Sequence, residues 1–174
     1  MVKLRKFSAY RALERPYTRI SKYKKKSFIK TTPNVKIVRF KTGNLKKEFP
    51  YSLHLVSKDD LQIRDNALES GRQSANRVLE LTLGTGGYFM QLRPYPHHIL
   101  RENPLAAGAG ADRFSTGMQK SFGKPIGSAA RIRKGQKIVT VSVNKQHLGL
   151  AKKALDRFRK RVPGSYLIQA DGKK

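Results

Sequence analysis

The chain has 174 residues, with 38 Lys and Arg against 11 Asp and Glu, a formal net charge of +27. That length predicts one domain, since domains commonly run to about 100–150 residues, and that charge repels itself unless a polyanion compensates it. Nucleic acid is the first candidate, ahead of a membrane surface or an acidic protein, and the absence of cysteine excludes a disulfide framework, a thiol nucleophile and a Cys-based zinc site.

The opening "MVKLRKFSAYRALERP" has bases but lacks the apolar stretch of about 7–15 residues that a signal peptide needs. No run approaches the roughly 20 apolar residues of a membrane span, so a soluble, cytoplasmic protein without a membrane partner is expected. The charge is unevenly placed. Residues 1–47 hold 16 Lys and Arg against Glu14 alone, residues 48–112 hold 6 against 8 acids, and residues 113–174 hold 16 against Asp156 and Asp171. A nearly neutral middle between two cationic ends predicts a folded core with basic attachments.

Residues 1–33 read as a basic arm. Lys3, Arg5, Lys6, Arg11, Arg15, Arg19, Lys22, Lys24, Lys25 and Lys26 alternate with Phe7, Tyr10, Tyr17, Tyr23 and Phe28. Bases neutralise phosphates and rings stack on nucleobases, so the arm is expected to be disordered alone and ordered on a nucleic acid. A solvated tail is the plainer alternative, but such a tail has no need of five spaced aromatics.

A core is expected over 34–170, followed by a basic tail at 171–174. "NVKIVRF" (34–40), β-branched and bounded by Pro33 and Gly43-Asn44, predicts a first strand, and "YSLHLV" (51–56) a second. Ser57 and Asp60 have the spacing of a weak capping box, ahead of Leu61, Leu68, Gly71, Ala75, Val78 and Leu79 at helical spacing. "LELTLG" and "GYFMQLRPYPHHIL" predict further strands around the turn "GTGG", with Pro94 and Pro96 forcing an edge or a break. "SAARIRKGQKIVTVSV" predicts two strands about "KGQ". "QHLGLAKKALDRFRKR" predicts a helix with Leu148, Ala151, Leu155 and Phe158 on one face, and Lys152, Lys153, Arg157, Arg159, Lys160 and Arg161 elsewhere. Pro163-Gly164 ends it, and "SYLIQA" predicts the last strand. Together these give an α+β sandwich with two helices on one face of a mostly antiparallel sheet.

Between strands, "AAGAGADRFSTGMQKSFGKP" (106–125) has neither amphipathic period nor apolar run. A loop this long is usually functional or disordered; it is expected to interrupt the core over 102–127 and to be disordered without RNA. It is not a nucleotide-binding loop. A P-loop needs four residues between Gly and Gly-Lys, then Ser or Thr, whereas Gly117 and Gly123 enclose five residues and Pro125 follows Lys124. The dinucleotide fingerprint fails because Arg113 stands at its third glycine after Gly108 and Gly110. His97 and His98 are adjacent on a predicted strand and point to opposite faces, and His54 and His147 have no ligand spacing. No catalytic residue, metal site or cofactor is predicted.

The motifs around the loop are specific. "R-x-x-P-x-H-x-x-R-x-N" falls at Arg93, Pro96, His98, Arg101 and Asn103. It is followed by Ala109, Gly110, Ala111, Asp112 and Arg113, by Thr116, Gly117 and Met118, by Phe122, Gly123, Lys124 and Pro125, then by Gly127 and Ala130-Arg131. With "PYTR" near the start, Phe49-Pro50, Val56-Ser57, Ala67–Glu69, Ala75-Asn76 and Pro163-Gly164 in order, the chain resembles the L-sixteen family of large-subunit ribosomal proteins, in its archaeal and eukaryotic form called L-ten-e. The resemblance covers nearly the whole chain. It implies a compact α/β-hammerhead core on large-subunit rRNA, with the loop reaching toward the peptidyl-transferase centre and tRNA acceptor arms, and no enzymatic activity. The loop positions just named carry over, and Lys120 joins them as a base. On the core, Arg93, His98, Arg131, Arg133, Lys134, Lys152, Lys153 and Arg157 are the expected RNA-facing residues. Neighbouring ribosomal proteins and tRNA are implied partners, and self-association is not. Gln119 departs from the Arg of many eukaryotic members, and the missing cysteines and shorter C-terminal end fit an archaeal member. A non-ribosomal RNA or DNA compaction protein is the alternative from charge alone, but it leaves one defined loop unexplained; an RNA-modifying enzyme would need a site that this sequence lacks.

Overall fold

Alternating and helically spaced apolar residues sort the chain into strands and helices, and the computed structural model describes residues 6–10, 13, 23, 25, 29, 33–103, 117 and 122–172. Among these, the elements are β1 (Lys41–Gly43), β2 (Tyr51–Ser57), β3 (Leu61–Arg64), α1 (Asp65–Leu83), β4 (Phe89–Leu92), β5 (His98–Glu102), β6 (Lys124–Ile132), β7 (Lys137–Val143), α2 (Leu148–Arg159) and β8 (Tyr166–Gly172). Every strand pairing is antiparallel. The α+β class holds, but the strands form two sheets rather than one, ordered β1-β4-β7-β2-β8 and β3-β6-β5.

Short connections carry the chain between the sheets: 58–60 from β2 to β3, 93–97 from β4 to β5, and 133–136 from β6 to β7. Pro94 and Pro96 break the expected strand as proline must, because neither can donate to a ladder. "KGQ" makes its turn, with Gly135 at φ +80°, yet the strands it joins do not pair with each other. In the core, Leu53 and Leu55 of β2, Val139 and Val141 of β7, and Leu68, Ala75 and Leu79 of α1 cluster with Ala151, Ala154, Leu155 and Phe158 of α2, all essentially solvent-free.

Three sequence expectations are corrected. Residues 34–40 do not form the first strand, although the segment is apolar enough for one. Two of its amides bind carboxylates of α1: Lys36 N–H donates to Asp65 at 3.1 Å and Val38 N–H to Glu69 at 3.4 Å. Two residues of extended chain span about 6.6 Å and four residues of helix about 6 Å, so the two repeats match. Leu61 does not begin a helix. Residues 61–64 pair with β6, from Leu61↔Ile132 to Arg64↔Ala129, and α1 starts at Asp65 with no side-chain cap from Arg64. The Ser57 hydroxyl instead donates to the Asp59 carbonyl at 2.8 Å. "LELTLG" is the last turns of α1, not a strand. Leu79 is buried while Leu81 is exposed, and Gly84 closes the helix at φ +64° with its N–H on the Glu80 carbonyl at 3.0 Å.

The two helices approach most closely at Gly71, where an added Cβ would lie 2.8 Å from the Phe158 ring. Phe158 is fully buried and has nowhere to go. Alanine is worth about 1 kcal/mol over glycine inside a helix, but overpacking a filled core costs about 1–3 kcal/mol. Gly71→Ala should therefore lower stability by up to about 2 kcal/mol, read as a lower urea midpoint with unchanged m-value; an unchanged or raised midpoint would show the contact to be loose.

Candidate nucleic-acid interface

β5 and β6 form the base from which the expected loop departs. His98↔Ala129, Arg101↔Pro125 and Glu102↔Lys124 are in register, with a bulge between Leu100 and Arg101. The strands thus reach further than expected: Glu102 and residues 124–127 are paired ladder, and the intervening stretch is 103–123. The Arg101 guanidinium donates to the Phe122 carbonyl at 2.6 Å, tying one strand to the returning chain. Phe122 is half exposed, and Gly117 and Gly123 have φ of +80° and +105°. Asn103, Lys124 and Pro125 are described; Ala109, Gly110, Ala111, Asp112, Arg113, Thr116, Met118 and Lys120 lie outside the described residues.

Beneath this base, His98 is buried at 6 % exposure while its neighbour His97 is exposed, as alternation requires. Burial, with added repulsion from Arg131 and Arg101, pushes the His98 imidazole down to about 4. It is therefore a neutral core group, buried on a strand whose nearby Arg131 and Arg101 oppose its charging. Arg133 and Lys134 are exposed at the β6–β7 turn, where the Lys134 amide donates to Asp60 at 2.6 Å. Lys152, Lys153 and Arg157 stand exposed on α2. The core candidates thus occupy separate faces and do not form one patch.

Arg93 is held from behind. Its Nε donates to the Thr140 hydroxyl at 2.8 Å, and that hydroxyl lies 2.9 Å from His54 Nδ1. His54 Nε2 is 2.9 Å from Asp171, which also binds Lys137 at 2.9 Å. With the Thr140 oxygen accepting from Arg93, its proton goes to His54 and the His54 Nε2–H to Asp171. The order Asp–His–Thr resembles a nucleophile relay, but Thr140 is 5 % exposed and its hydroxyl is engaged on both sides. Burial, then Lys137, lowers the His54 pKa. This chain of bonds orients a guanidinium.

From Arg93 the connection alternates outward Arg93, Tyr95 and His97 with inward Pro94, Pro96 and His98. Tyr95 stacks on Phe40 at 5.3 Å and against His97 at 4.5 Å between centroids. Sequence reasoning took Arg93 and His98 from this stretch and missed the ring ladder; the Pro-alternated "RPYPH" was the available signal. Of the arm, Lys6 and Lys25 are exposed, while Lys3, Arg5, Arg11, Arg15, Tyr17, Arg19, Lys22, Lys24 and Lys26 lie outside the described residues. The arm meets the core at its start. Arg64 donates to the Lys6 carbonyl at 3.1 Å and lies 4.4 Å over the Tyr10 ring, and Gln62 donates to the Tyr10 carbonyl.

Among the described residues no group of three or more acids and histidines could hold a metal ion, and no helix is long and apolar enough to cross a membrane. The molecule is a small α+β protein with dispersed surface cations and a long insertion between two neighbouring strands. It belongs to the family described as ribosomal protein L16p/L10e, which matches residues 18–169. Its relatives include the large ribosomal subunit protein uL16 of Methanococcus aeolicus, 47 % identical over 160 residues that cover 92 % of this chain and 90 % of that protein. The uL16 proteins of Methanococcus maripaludis and Archaeoglobus fulgidus are each 46 % identical, over 92 % and 88 % of this chain and 90 % and 85 % of their own lengths. The resemblance read from the sequence is shown, in its archaeal form.

The neutral state of His98 has a pH signature. Unfolded histidine titrates near 6.5, so below that pH the unfolded chain takes a proton that the folded site refuses down to about 4. Stability contributed by neutral His98 is complete above about pH 6.5 and lost toward pH 4, by up to about 3 kcal/mol. His98→Gln should unfold with a shallower loss between about pH 7 and 4.5. Parallel pH profiles of the two chains would remove His98 from the account.

Proposed function

We propose that the chain is a structural constituent of the large ribosomal subunit that binds large-subunit rRNA and extends residues 103–123 toward the peptidyl-transferase centre and tRNA acceptor arms. Family membership across residues 18–169 carries the ribosomal role, in keeping with relatives that are large ribosomal subunit proteins. It is a role without catalytic chemistry. The geometry supports the finer reading at one point above all: the insertion leaves and returns on adjacent strands, its ends fixed by Glu102↔Lys124 and Arg101–Phe122.

In this reading Arg101, Phe122, Gly123, Lys124 and Pro125 sit at the loop's root, and Ala109–Arg113, Thr116–Met118 and Lys120 work further out. Small residues let the backbone approach RNA closely, while Arg113, Lys120 and Lys124 neutralise phosphate. Arg93, Arg131, Arg133, Lys134, Lys152, Lys153 and Arg157 bind rRNA from the core, with His98 buried and neutral near Arg131. The ladder Phe40–Tyr95–His97 offers ring faces to an unstacked base beside Arg93. The arm, with Lys3, Arg5, Lys6, Arg11, Arg15, Tyr17, Arg19, Lys22, Lys24, Lys25 and Lys26, orders along RNA beyond its anchor on β3.

The binding is largely electrostatic. Six to ten phosphate contacts lose roughly 10³–10⁵ in affinity between about 50 and 200 mM salt. The chain should show such a slope on large-subunit rRNA and cosediment with large subunits alone. Equal binding to unrelated RNA and DNA would favour the compaction reading, and a flat salt profile would exclude both.

Because the loop's ends are strand neighbours, a short Gly/Ser turn can replace residues 104–121 without opening the β5–β6 ladder. Loop-length changes cost only about 0.6 kcal/mol per doubling, so the shortened chain should melt near the parent and still bind rRNA. Subunits reconstituted with it should be slow in peptide-bond formation or fail late maturation. Fully active subunits would show the insertion to be dispensable; an unfolded variant would make it part of the core.

A further inference from the structure

We infer that the groove between α1 and α2 is a further RNA-binding surface, one that seats a single sugar–phosphate strand. It rests on the reading that the chain binds rRNA, and it concerns a face that the loop and the arm do not form. The groove is open, about 520 Å³, and lined by Ser74, Arg77, Val78 and Leu81 of α1 with Arg157, Lys160 and Arg161 at the end of α2.

Spacing sets the two walls. Ser74, Arg77, Val78 and Leu81 are i, i+3, i+4 and i+7 on one helix stripe, and Arg157 in the last turn of α2 is joined by Lys160 and Arg161 in the turn that follows it. Gly71 holds the helices together at one end through its contact with Phe158. All four cations are exposed, and none has an ion pair among the described residues.

Cations near the end of α2 also complement that helix's dipole, which would account for Lys160 and Arg161 alone. It does not account for Arg77, which stands inside α1, whose own last turn has no basic residue. Carboxylates are kept out of the groove. None lines it: Asp156 pairs with Arg159 at 2.9 Å, and Glu80, which shares the adjoining pocket with Arg77 and Leu81, accepts from Asn76 at 2.8 Å. Leu81, 78 % exposed, and the half-buried Val78 give the positive groove an apolar floor. Regularly spaced negative charge joined by weakly polar sugars fits this combination. A folded acidic protein would meet the same charge, but it would leave Leu81 covered only by chance.

The test uses the full chain and large-subunit rRNA. Arg77→Gln with Lys160→Gln is compared with Lys58→Gln with Lys145→Gln, which removes the same charge from exposed sites elsewhere. The groove pair should lose at least about tenfold in affinity near 0.1 M salt, and its salt slope should become shallower by about 1.4–1.8. The control pair should lose clearly less. The chain has no cysteine, so Ser74→Cys can carry one photocrosslinker, which should label rRNA in purified subunits. Equal losses in the two pairs, or crosslinks to protein alone, would overturn the groove while leaving rRNA binding intact. Failure of the unsubstituted chain to bind rRNA would instead bring down the functional reading and the groove with it.

Discussion

Two corners of the backbone, where β2 turns into β3 and where β6 turns into β7, are bonded to each other, and the two-sheet architecture depends on that seam. Gly135 N–H donates to the Ser57 carbonyl at 2.8 Å and Ser57 N–H to the Gln136 carbonyl at 3.1 Å. Asp60 accepts from the Lys134 amide, and Asp59 accepts from the Ser165 amide at 3.3 Å. Because each crossing strand changes sheets beside the other, β2 keeps β7 in the first sheet while β3 keeps β6 in the second. The same seam holds the end of β6 after Ile132, and β6 is the strand through which the inserted loop re-enters the fold at Lys124.

The seam also explains how a chain with 11 acids supports a surface of +27. Its carboxylates serve backbone amides and short polar side chains as often as they serve cations. Asp59, Asp60 and Asp65 accept from main-chain N–H groups, Glu69 gathers Arg72 and Gln73 as well as the Val38 amide, and Glu80 takes Asn76. The bonds to Asp65 and Glu69 are part-buried, where an unsatisfied donor is expensive, so these two acids do more for the fold than exposed ion pairs would. The consequence is electrostatic: among the described residues, these acids neutralise few of the Lys and Arg.

What could be read from the sequence was whatever one segment decides alone. β2, α2 and β8 each announce themselves through an uninterrupted period, and the break at Pro94 and Pro96 follows from proline's missing donor. What could not be read was decided by pairing across the chain. Residues 34–40 have strand composition, but their amides meet carboxylates of a helix 29 and 31 residues on. Leu61–Arg64 carry a helical spacing and a plausible cap upstream, yet β6 offers a ladder that outweighs both. "LELTLG" is an apolar run too short for its period to decide between strand and helix. The interface divides the same way. Loop and arm stood out because they lack a structural period. The Phe40–Tyr95–His97 ladder and the α1–α2 groove each combine residues from two segments, and neither half is conspicuous by itself.

The loop's root combines both kinds of constraint. A long insertion places its tip reproducibly only if its ends cannot shift, and here the ends are neighbours on one ladder, with Arg101 bound to the Phe122 carbonyl of the returning chain. The half-buried Arg101 and the exposed Arg131 both belong to that ladder, and each would repel a further cation beside it. His98 is neutral at physiological pH because it is buried and because both arginines repel its charged form. The paired strands at the base of the loop thus carry solvent-facing positive charge while the titratable group buried between them stays neutral, so the strands are not weakened by a buried cation.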